Sequence, residues 1–539
     1  MSDYFLGLDC STQGLTAIVL DKKSIVYTTQ IIFDIDLPHY HTKNGVLISE
    51  DGRVVHSPPL MWIEALELIF QRIKDKISIV NIKAISGSGQ QHGTVYLNEE
   101  FAKRFNNLHQ EQELVNQFKG CFSRKTSPIW MDSSTSQQCE EIRNSLGGMK
   151  QTINITGSNT FERFSGPQIR KFYQQDPEKY KETAIIHLVS SFMASVLMGK
   201  NAPIDHGDGA GMNLMNIRTK KWDDRALKAT APNLKQKLPS LIDSQDIIGK
   251  ISPYFVKKFD FHPDTILTPW SGDNPNSLVG VGLIDKGSVA ISLGTSDTYF
   301  AYLKNLFLDF NGEGHVFGAP TGDYMSLICY KNGSLARERI KDSFSLDWDE
   351  FSDILSKTRP GNEGRIMLPY FLPEIVPLVL KPRVYRFGFN KTNVAANVRA
   401  IIESQFLSMR LHSKWIEEKP KIIYATGGAS ANAEILQIAS DIFQIEIQKF
   451  NITESAALGA AMRSMKAHYE YHEQEKSWHE IMKIFLEPLK EAIFIPDSRL
   501  KELYDDMIVL YEKYEDFILQ DAKDPESYRL KFIQKYFSN

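Results

Sequence analysis

Cysteine is scarce in this chain. Its 539 residues hold four, at Cys10, Cys121, Cys139 and Cys329, with no Cys-x-x-Cys pair. That spacing excludes a disulfide framework or a cysteine zinc site and fits a reducing compartment. An excess of charge of one sign is also missing. The formal net charge is -4, which leaves no basic stripe for nucleic acid. No apolar run approaches 18 residues, and the strongest, Ser191 to Met198, reads as a buried helix rather than a membrane span. The opening Met1-Ser2-Asp3-Tyr4 lacks the basic, apolar and cleavage regions of a secretory leader. The expectation is a cytoplasmic chain with neither a membrane nor a nucleic-acid partner. The common nucleotide-binding signatures are absent too. There is no G-x-x-x-x-G-K-[ST] loop, and Gly87-x-Gly89-x-x-x-Gly93 misses the dinucleotide spacing by one residue. Gly207-x-Gly209-x-Gly211 follows no clear strand, and His472-Glu473 lacks the second histidine of a zinc-protease helix.

What is present is ordinary in bulk and organised in detail. At 42% apolar and 24% charged, the chain can bury large cores, and its length predicts two to four domains. Residues 4–9 and 15–20 are apolar runs joined by a polar turn, a hairpin signal, and Ile25 to Phe33 extends the meander. Ser57-Pro58 reads as an N-cap with a first-turn proline. Behind it Ile63, Leu66, Phe70, Ile73 and Ile77 recur at 3-4-3-4 spacing, an amphipathic helix leading to a buried strand at 82–86. Strands alternating with helices predict an α/β domain.

The second half repeats the opening. Ser288 to Leu293 and Tyr299 to Leu303 are strands around Gly294-Thr295-Ser296, in the place that Asp9-Cys10-Ser11-Thr12 holds in the first hairpin. Two related domains are expected, 1–280 and 281–539, the second with a helical C-terminal segment that includes Leu503 to Phe517. Residues 466–482 read as a polar surface helix, and 104–127 as a polar insertion.

Five segments carry chemistry. A tight turn such as Asp9 to Gly14 aims several backbone N–H groups at one concave spot, which suits phosphate oxygens. Thr12 adds a hydroxyl there, and Asp9 can hold Mg²⁺, an ion that takes a carboxylate together with phosphates. Gly294 to Thr298 is the matching turn, with Thr295 in the place of a second phosphate contact. Thr426-Gly427-Gly428-Ala429-Ser430-Ala431-Asn432 passes from strand to helix, where small residues and a helix N-terminus admit a flat anionic ligand. Ser88-Gly89-Gln90-Gln91-His92-Gly93 stands at a strand's carboxyl end, where open α/β sheets bind ligands, and offers amides and an imidazole to hydroxyls. Trp270-Ser271-Gly272-Asp273-Asn274-Pro275 places a carboxylate just ahead of the second hairpin. Each also has a plain reading: hairpin turns, a close strand–helix turn, a glycine loop with a structural histidine, and an Asx turn into proline. Ser455 to Ala461 reads as a small-residue helix packed on the sheet.

Taken together and in this order, the segments Phe5 to Gly14, Gly89 to Gly93, Gly272 to Pro275, Ser292 to Ser296 and Ala425 to Ala429 resemble the FGGY carbohydrate kinases. Pro128 to Ser134, Phe161 to Phe164, Asp208 to Asn213 and Lys331 to Ser334 extend the likeness over about residues 4–465. It is closest to the longer, animal-type xylulokinase branch. The resemblance implies two ribonuclease H-like, actin-like ATPase domains with an interdomain active-site cleft, and ATP, Mg²⁺ and the 5-hydroxyl of D-xylulose as reactants. By matched position His92, Arg163, Asp273 and Asn274 contact the sugar, with Asp273 as general base. Gly427, Gly428, Ala429 and Asn432 contact the nucleotide, and Trp348 borders the adenine. Thr12, Thr295 and Asp9 surround the phosphates and Mg²⁺. One departure is Ile186 to Phe192, which lacks the acidic residue and tyrosine of bacterial relatives.

Two other readings stay open at this point. One is a family kinase for ribulose, gluconate, glycerol or sedoheptulose. The other is a non-kinase actin-like ATPase or a sugar sensor. Monomer and homodimer are equally compatible with the sequence.

Overall fold

The computed structural model describes residues 3–449, 454–486 and 492–538. They form two compact units. The first takes the described residues of 1–284, 304–325 and 454–487, and the second those of 285–303, 326–453 and 488–539.

The first unit is built on strands β1 (Tyr4–Cys10), β2 (Gly14–Leu20), β3 (Ile25–Ile32), β4 (Ile82–Gly89), β5 (Gly249–Lys250), β6 (Ile266–Leu267) and β7 (Ser271–Gly272). Their order is β5-β6-β4-β1-β2-β3, and β7 pairs with the far end of β4. β1 runs antiparallel to β2 and parallel to β4, with Asp9 opposite Thr16 on one side and Ser88 on the other. Phe5, Leu6 and Leu8 are fully buried, as a strand covered on both faces requires. Helix Pro59–Lys74 covers one face with Ile63, Leu66, Phe70 and Ile73. Its cap differs from the expected one. Ser57 ends a short strand and donates its hydroxyl to the Gly45 carbonyl, so Pro58 is the capping position and Pro59 the first helical residue.

Helix Ser455–Tyr471 covers the other face. A Cβ at Gly7 would stand 2.2 Å from the Ala457 carbonyl, so helix and strand meet at backbone distance. The same helix crosses Asp273–Gly280 just as closely: a Cβ at Gly459 would lie 2.0 Å from the Asn276 carbonyl, and one at Gly280 1.9 Å from that of Ser455. Buried Arg463 locks the crossing, donating to Asn276 Oδ1 (2.9 Å) and to the carbonyls of Ser244 (2.8 Å) and Pro269 (2.9 Å). The expected sheet packing of 455–461 is therefore present, and the segment also clamps the helix that begins at Asp273.

The second unit repeats the plan with β8 (Ser288–Leu293), β9 (Asp297–Leu303), β10 (Tyr324–Tyr330), β11 (Ile422–Thr426), β12 (Ile447–Lys449) and β13 (Ile493–Phe494), in the order β10-β9-β8-β11-β12-β13. β8 is antiparallel to β9 and parallel to β11, β12 is parallel to β11, and β13 is antiparallel to β12. In the first unit β6 is parallel to β4 and β5 antiparallel to β6. Order and sense therefore match strand for strand where both are defined. Each unit has the hairpin-then-parallel plan of a ribonuclease H-like sheet, and the α/β expectation holds.

Three expectations change. Residues 104–127 are not merely a polar insertion: helix Leu114–Phe118 buries Leu114 and Phe118, and the Leu114 amide donates to Glu67 Oε2 at 2.7 Å. Residues 466–482 are divided between the end of Ser455–Tyr471, where Ala467 and Tyr469 are buried, and a second helix, Trp478–Phe485. Helix Lys501–Leu519 carries the predicted apolar face, but a further helix, Glu526–Phe537, follows it.

Candidate functional site

The first turn is held from both sides. The Ser11 amide and hydroxyl both donate to the Gly14 carbonyl, at 3.0 and 3.1 Å. Thr12 Oγ1 donates to Gln90 Oε1 (3.3 Å) and accepts from Trp130 Nε1 (2.8 Å). Asp9 is buried at the end of β1 and accepts from the Ser88 hydroxyl. Its carboxyl is pushed up to about 7, by burial first and then by the neighbouring carboxylates of Asp273 and Glu454, against the Ser88 bond. Acids gathered in this way are a fitting place for a divalent ion. Among the described residues no group of three or more His, Cys, Asp or Glu is arranged to hold a metal alone. Magnesium asks for less: it commonly takes one or two carboxylates and fills its remaining positions with phosphate oxygens and water. The donor set at Asp9 fits that ion.

Within the first unit the ends of β4 and β7 bring the sugar candidates together. Asp273 opens helix Asp273–Gly280 and accepts from the Asn274 amide (2.9 Å) and Asn274 Nδ2 (3.1 Å). Its carboxyl is pushed up to about 6, chiefly by burial, with the amides of Asn274 and Gln91 pulling the other way. Asn274 Nδ2 also donates to Gln91 Oε1 at 3.0 Å. His92 sits at φ 73°, in the left-handed region that side chains other than glycine seldom enter. Its Nδ1 lies 2.8 Å from the Gly211 carbonyl, and a carbonyl only accepts, so Nδ1 carries the proton and Nε2 is left as an acceptor. Burial, then the charge of Arg163, pushes the His92 pKa down to about 3, so the ring is neutral. Arg163 donates to His315 Nε2 at 3.1 Å, and the rings of Phe161 and Phe164 pack against both residues.

Several buried polar atoms here have no hydrogen-bond partner among the described residues: Gln90 Nε2, Gln91 Nε2, Asp208 Oδ1 and His315 Nδ1. Each such group costs about 1–3 kcal/mol if it stays unpaired. Gln91 and Asp208 are neighbours, beside His92. A Cβ on Gly211 would lie 2.9 Å from His92 Nδ1 and 3.1 Å from Gln91 Nε2, and one on Gly272 would lie 3.2 Å from Asp208 Oδ1. Burial and Asp205 push the Asp208 carboxyl well above the usual range, and Ser190 donates to its other oxygen. Unspent donors and acceptors of this kind match hydroxyl groups.

Sequence reasoning missed Asp208, His315, Trp130 and Glu454 as site residues, whereas the amide of Gln91 was read as part of the polar floor at 88–93. Asp208 was within reach, because it lies in the glycine-rich 207–211 segment set aside for lack of a strand. A two-residue strand, Ile204–Asp205, does precede it. His315 stands in an unremarkable stretch and only folding brings it to Arg163.

The second unit gathers the remaining candidates. Its turn is braced by a salt bridge: Arg337 donates to both oxygens of buried Asp297, at 2.7 and 2.9 Å. The Ser334 amide donates to the Gly294 carbonyl (2.8 Å), while Thr295 at the tip is exposed. Gly427 follows β11 at φ 85°, and a Cβ there would meet the Leu293 carbonyl at 2.7 Å, whereas one on Gly428 would face open space. Asn432 caps helix Ala433–Phe443 through the Ile435 amide. Its Nδ2 donates to Ser352 Oγ (2.6 Å), which donates in turn to the Trp348 carbonyl (2.8 Å). Trp348, first residue of helix Trp348–Lys357, is 41% exposed. An exposed indole, bare backbone at Gly428 and the Asn432 cap thus lie on linked elements.

The class follows from matched domains. Residues 126–280 match the N-terminal domain of the FGGY family of carbohydrate kinases and residues 289–468 its C-terminal domain. The chain belongs to that family and is by that membership a phosphotransferase. Its relatives narrow the branch. Over 485 residues it is 44% identical to xylulose kinase 2 of Arabidopsis thaliana, covering 85% of this chain and 86% of that protein. Over 534 residues it is 38% identical to the xylulose kinase of Rattus norvegicus, covering 96% and 98%. The ligand-bound xylulose kinase of Lactobacillus acidophilus shares the fold, with a TM-score of 0.80 at 20% identity over 97% of this chain and 100% of that one. The recognition from sequence, including its leaning toward the animal-type branch, agrees with these relatives.

Proposed function

We propose that this chain transfers the γ-phosphoryl group of ATP to the 5-hydroxyl of D-xylulose, giving D-xylulose 5-phosphate and ADP. The single observation that carries the chemistry is Asp273, a carboxylate whose pKa is pushed up to about 6 beside unspent polar groups. A base poised near neutral pH is what proton removal from an alcohol calls for. The relatives supply the choice of sugar, being xylulose kinases over nearly the whole chain.

In this reading Asp273 accepts the proton of the sugar hydroxyl as that oxygen bonds to phosphorus and the bond to ADP breaks. Asn274 and Gln91 hold the carboxylate in place. His92 Nε2 and Arg163 bind sugar oxygens, with His315 orienting the guanidinium. On the second unit Gly427, Gly428, Ala429 and Asn432 take the nucleotide, and Trp348 packs on its base. Thr12 and Thr295 donate to phosphates. Asp9 holds Mg²⁺, which when bound neutralises phosphate charge. No helix among the described residues is long and apolar enough to cross a membrane, and we place the reaction in the cytoplasm.

The test is Asp273→Asn. It should lower kcat by about 10²–10⁴-fold, the usual worth of a general base, while calorimetry still detects D-xylulose binding. Turnover near the wild-type rate would remove Asp273 from the mechanism.

A further inference from the structure

At the opposite end of the first sheet lies a cavity of about 570 Å³ that the phosphoryl-transfer reading does not use. It opens where β1, β4 and β6 begin, beside Asp3, Lys83 and Ile266. Asp9, Gly89 and Ser271 mark the other end of those strands. Asp3 and Asp9 are six residues apart, so the two sites are separated by about 20 Å along β1.

The lining is cationic. Lys22, Lys83 and Lys250 enter from β-strand ends, and His262, His468 and His472 complete the wall. Two carboxylates oppose them: Asp3 pairs with Lys22 (2.7 Å) and Asp264 with Lys250 (2.5 Å). Lys83 is the unusual member. It is half-buried in a strand whose other positions are buried, and it forms no ion pair or hydrogen bond among the described residues. It shares the charge of Asp3, which is already paired with Lys22, so one carboxylate serves two lysines there, and a charge held partly out of water gains from a further counter-ion.

Two of the histidines stack on each other. His468 stacks against His472 with ring centroids 4.5 Å apart and against Phe5 at 5.3 Å. Its pKa is pushed down to about 4, by burial first, then by His472, with Lys22 and Lys83 adding to the repulsion and Asp3 opposing it. The carboxyl end of helix Ser455–Tyr471 faces the same space and brings about half a negative charge. Three lysines against two aspartates and that half charge leave a small positive balance.

We propose that this cavity binds a small phosphate-bearing anion, with Lys83 as its central contact, at a site separate from phosphoryl transfer. A volume of 570 Å³ exceeds what a lone phosphate fills and lies in the range of small-molecule sites, which favours a phosphate monoester.

Calorimetry in phosphate-free buffer, with glucose 6-phosphate and inorganic phosphate as probes, tests the site. Glucose 6-phosphate should bind wild-type protein with a Kd of about 1 mM or tighter, and Lys83→Glu should weaken it about tenfold or more. Lys250→Gln, at a more exposed position, should weaken it in the same direction and guards against misfolding of the first variant. Asp273→Asn should bind the probe as wild type does. Equal binding of both probes would identify the phosphate group alone as what is read, and preference for the ester would identify a phosphorylated metabolite. No binding by about 10 mM, wild-type affinity in both lysine variants, or loss in Asp273→Asn would overturn the proposal.

Discussion

Asp273 gathers most of the chemistry because of where its side chain sits. Aspartate in water titrates near 3.8, and here burial moves it to about 6. As the base it must be unprotonated. The account therefore predicts that kcat/KM for the sugar falls on the acid side with an apparent pKa near 6, about tenfold per pH unit below it, read from initial rates between pH 5 and 8. Stability runs the other way. A carboxyl whose folded pKa lies above its unfolded one adds stability in full below 3.8 and loses it as pH rises through about 6. A flat rate profile down to pH 5 would contradict the assignment.

His92, Arg163 and Asn274 could be singled out in the sequence because they stand in compact motifs. Their helpers could not. His315 reaches Arg163 across 152 positions, and nothing in its own stretch announces the meeting. The raised pKa of Asp208 depends on burial beside Asp205, which no spacing reveals.

At the scale of elements, the position of Asp273 depends on a helix crossing made of glycines. Gly459 and Gly280 let Ser455–Tyr471 and Asp273–Gly280 touch backbone to backbone, and Arg463 ties the pair together. Gly459→Val has no room, since even a Cβ there would lie 2.0 Å from the Asn276 carbonyl. Overpacking of this sort costs about 1–3 kcal/mol, occasionally more. The variant should melt several degrees lower, and in its folded fraction kcat should fall more than sugar affinity, because the base moves while the His92 and Arg163 contacts remain. Thermal melts and steady-state kinetics on the same preparation check both parts. The run Ser455 to Ala461 was legible as close packing, but its second partner was not. Period and residue size show that a helix packs tightly, not which helix it meets.

At the scale of the molecule, the chain builds one sheet plan twice. β3-β2-β1-β4-β6-β5 and β10-β9-β8-β11-β12-β13 have the same order. The hairpins of each were readable because a strand buried on both faces is a continuous apolar run, and a polar turn between two such runs is hard to mistake. The outer strands β5, β6, β12 and β13 were not read. They are two or three residues long and have no period to detect. Nor did order along the chain reveal that residues 304–325 and 454–486 return to the first unit. Those returns deliver His315 to the sugar candidates and Glu454 to the neighbourhood of Asp9.

The central claim is that this FGGY family member acts on D-xylulose. A panel of D-xylulose, D-ribulose, gluconate, glycerol and sedoheptulose, each with Mg-ATP and ADP release as the readout, tests it most directly. The account predicts the highest kcat/KM for D-xylulose, by about tenfold or more over each of the others, a margin of about 1.4 kcal/mol. A higher kcat/KM for any other sugar, or no ADP release with any of them, would contradict it.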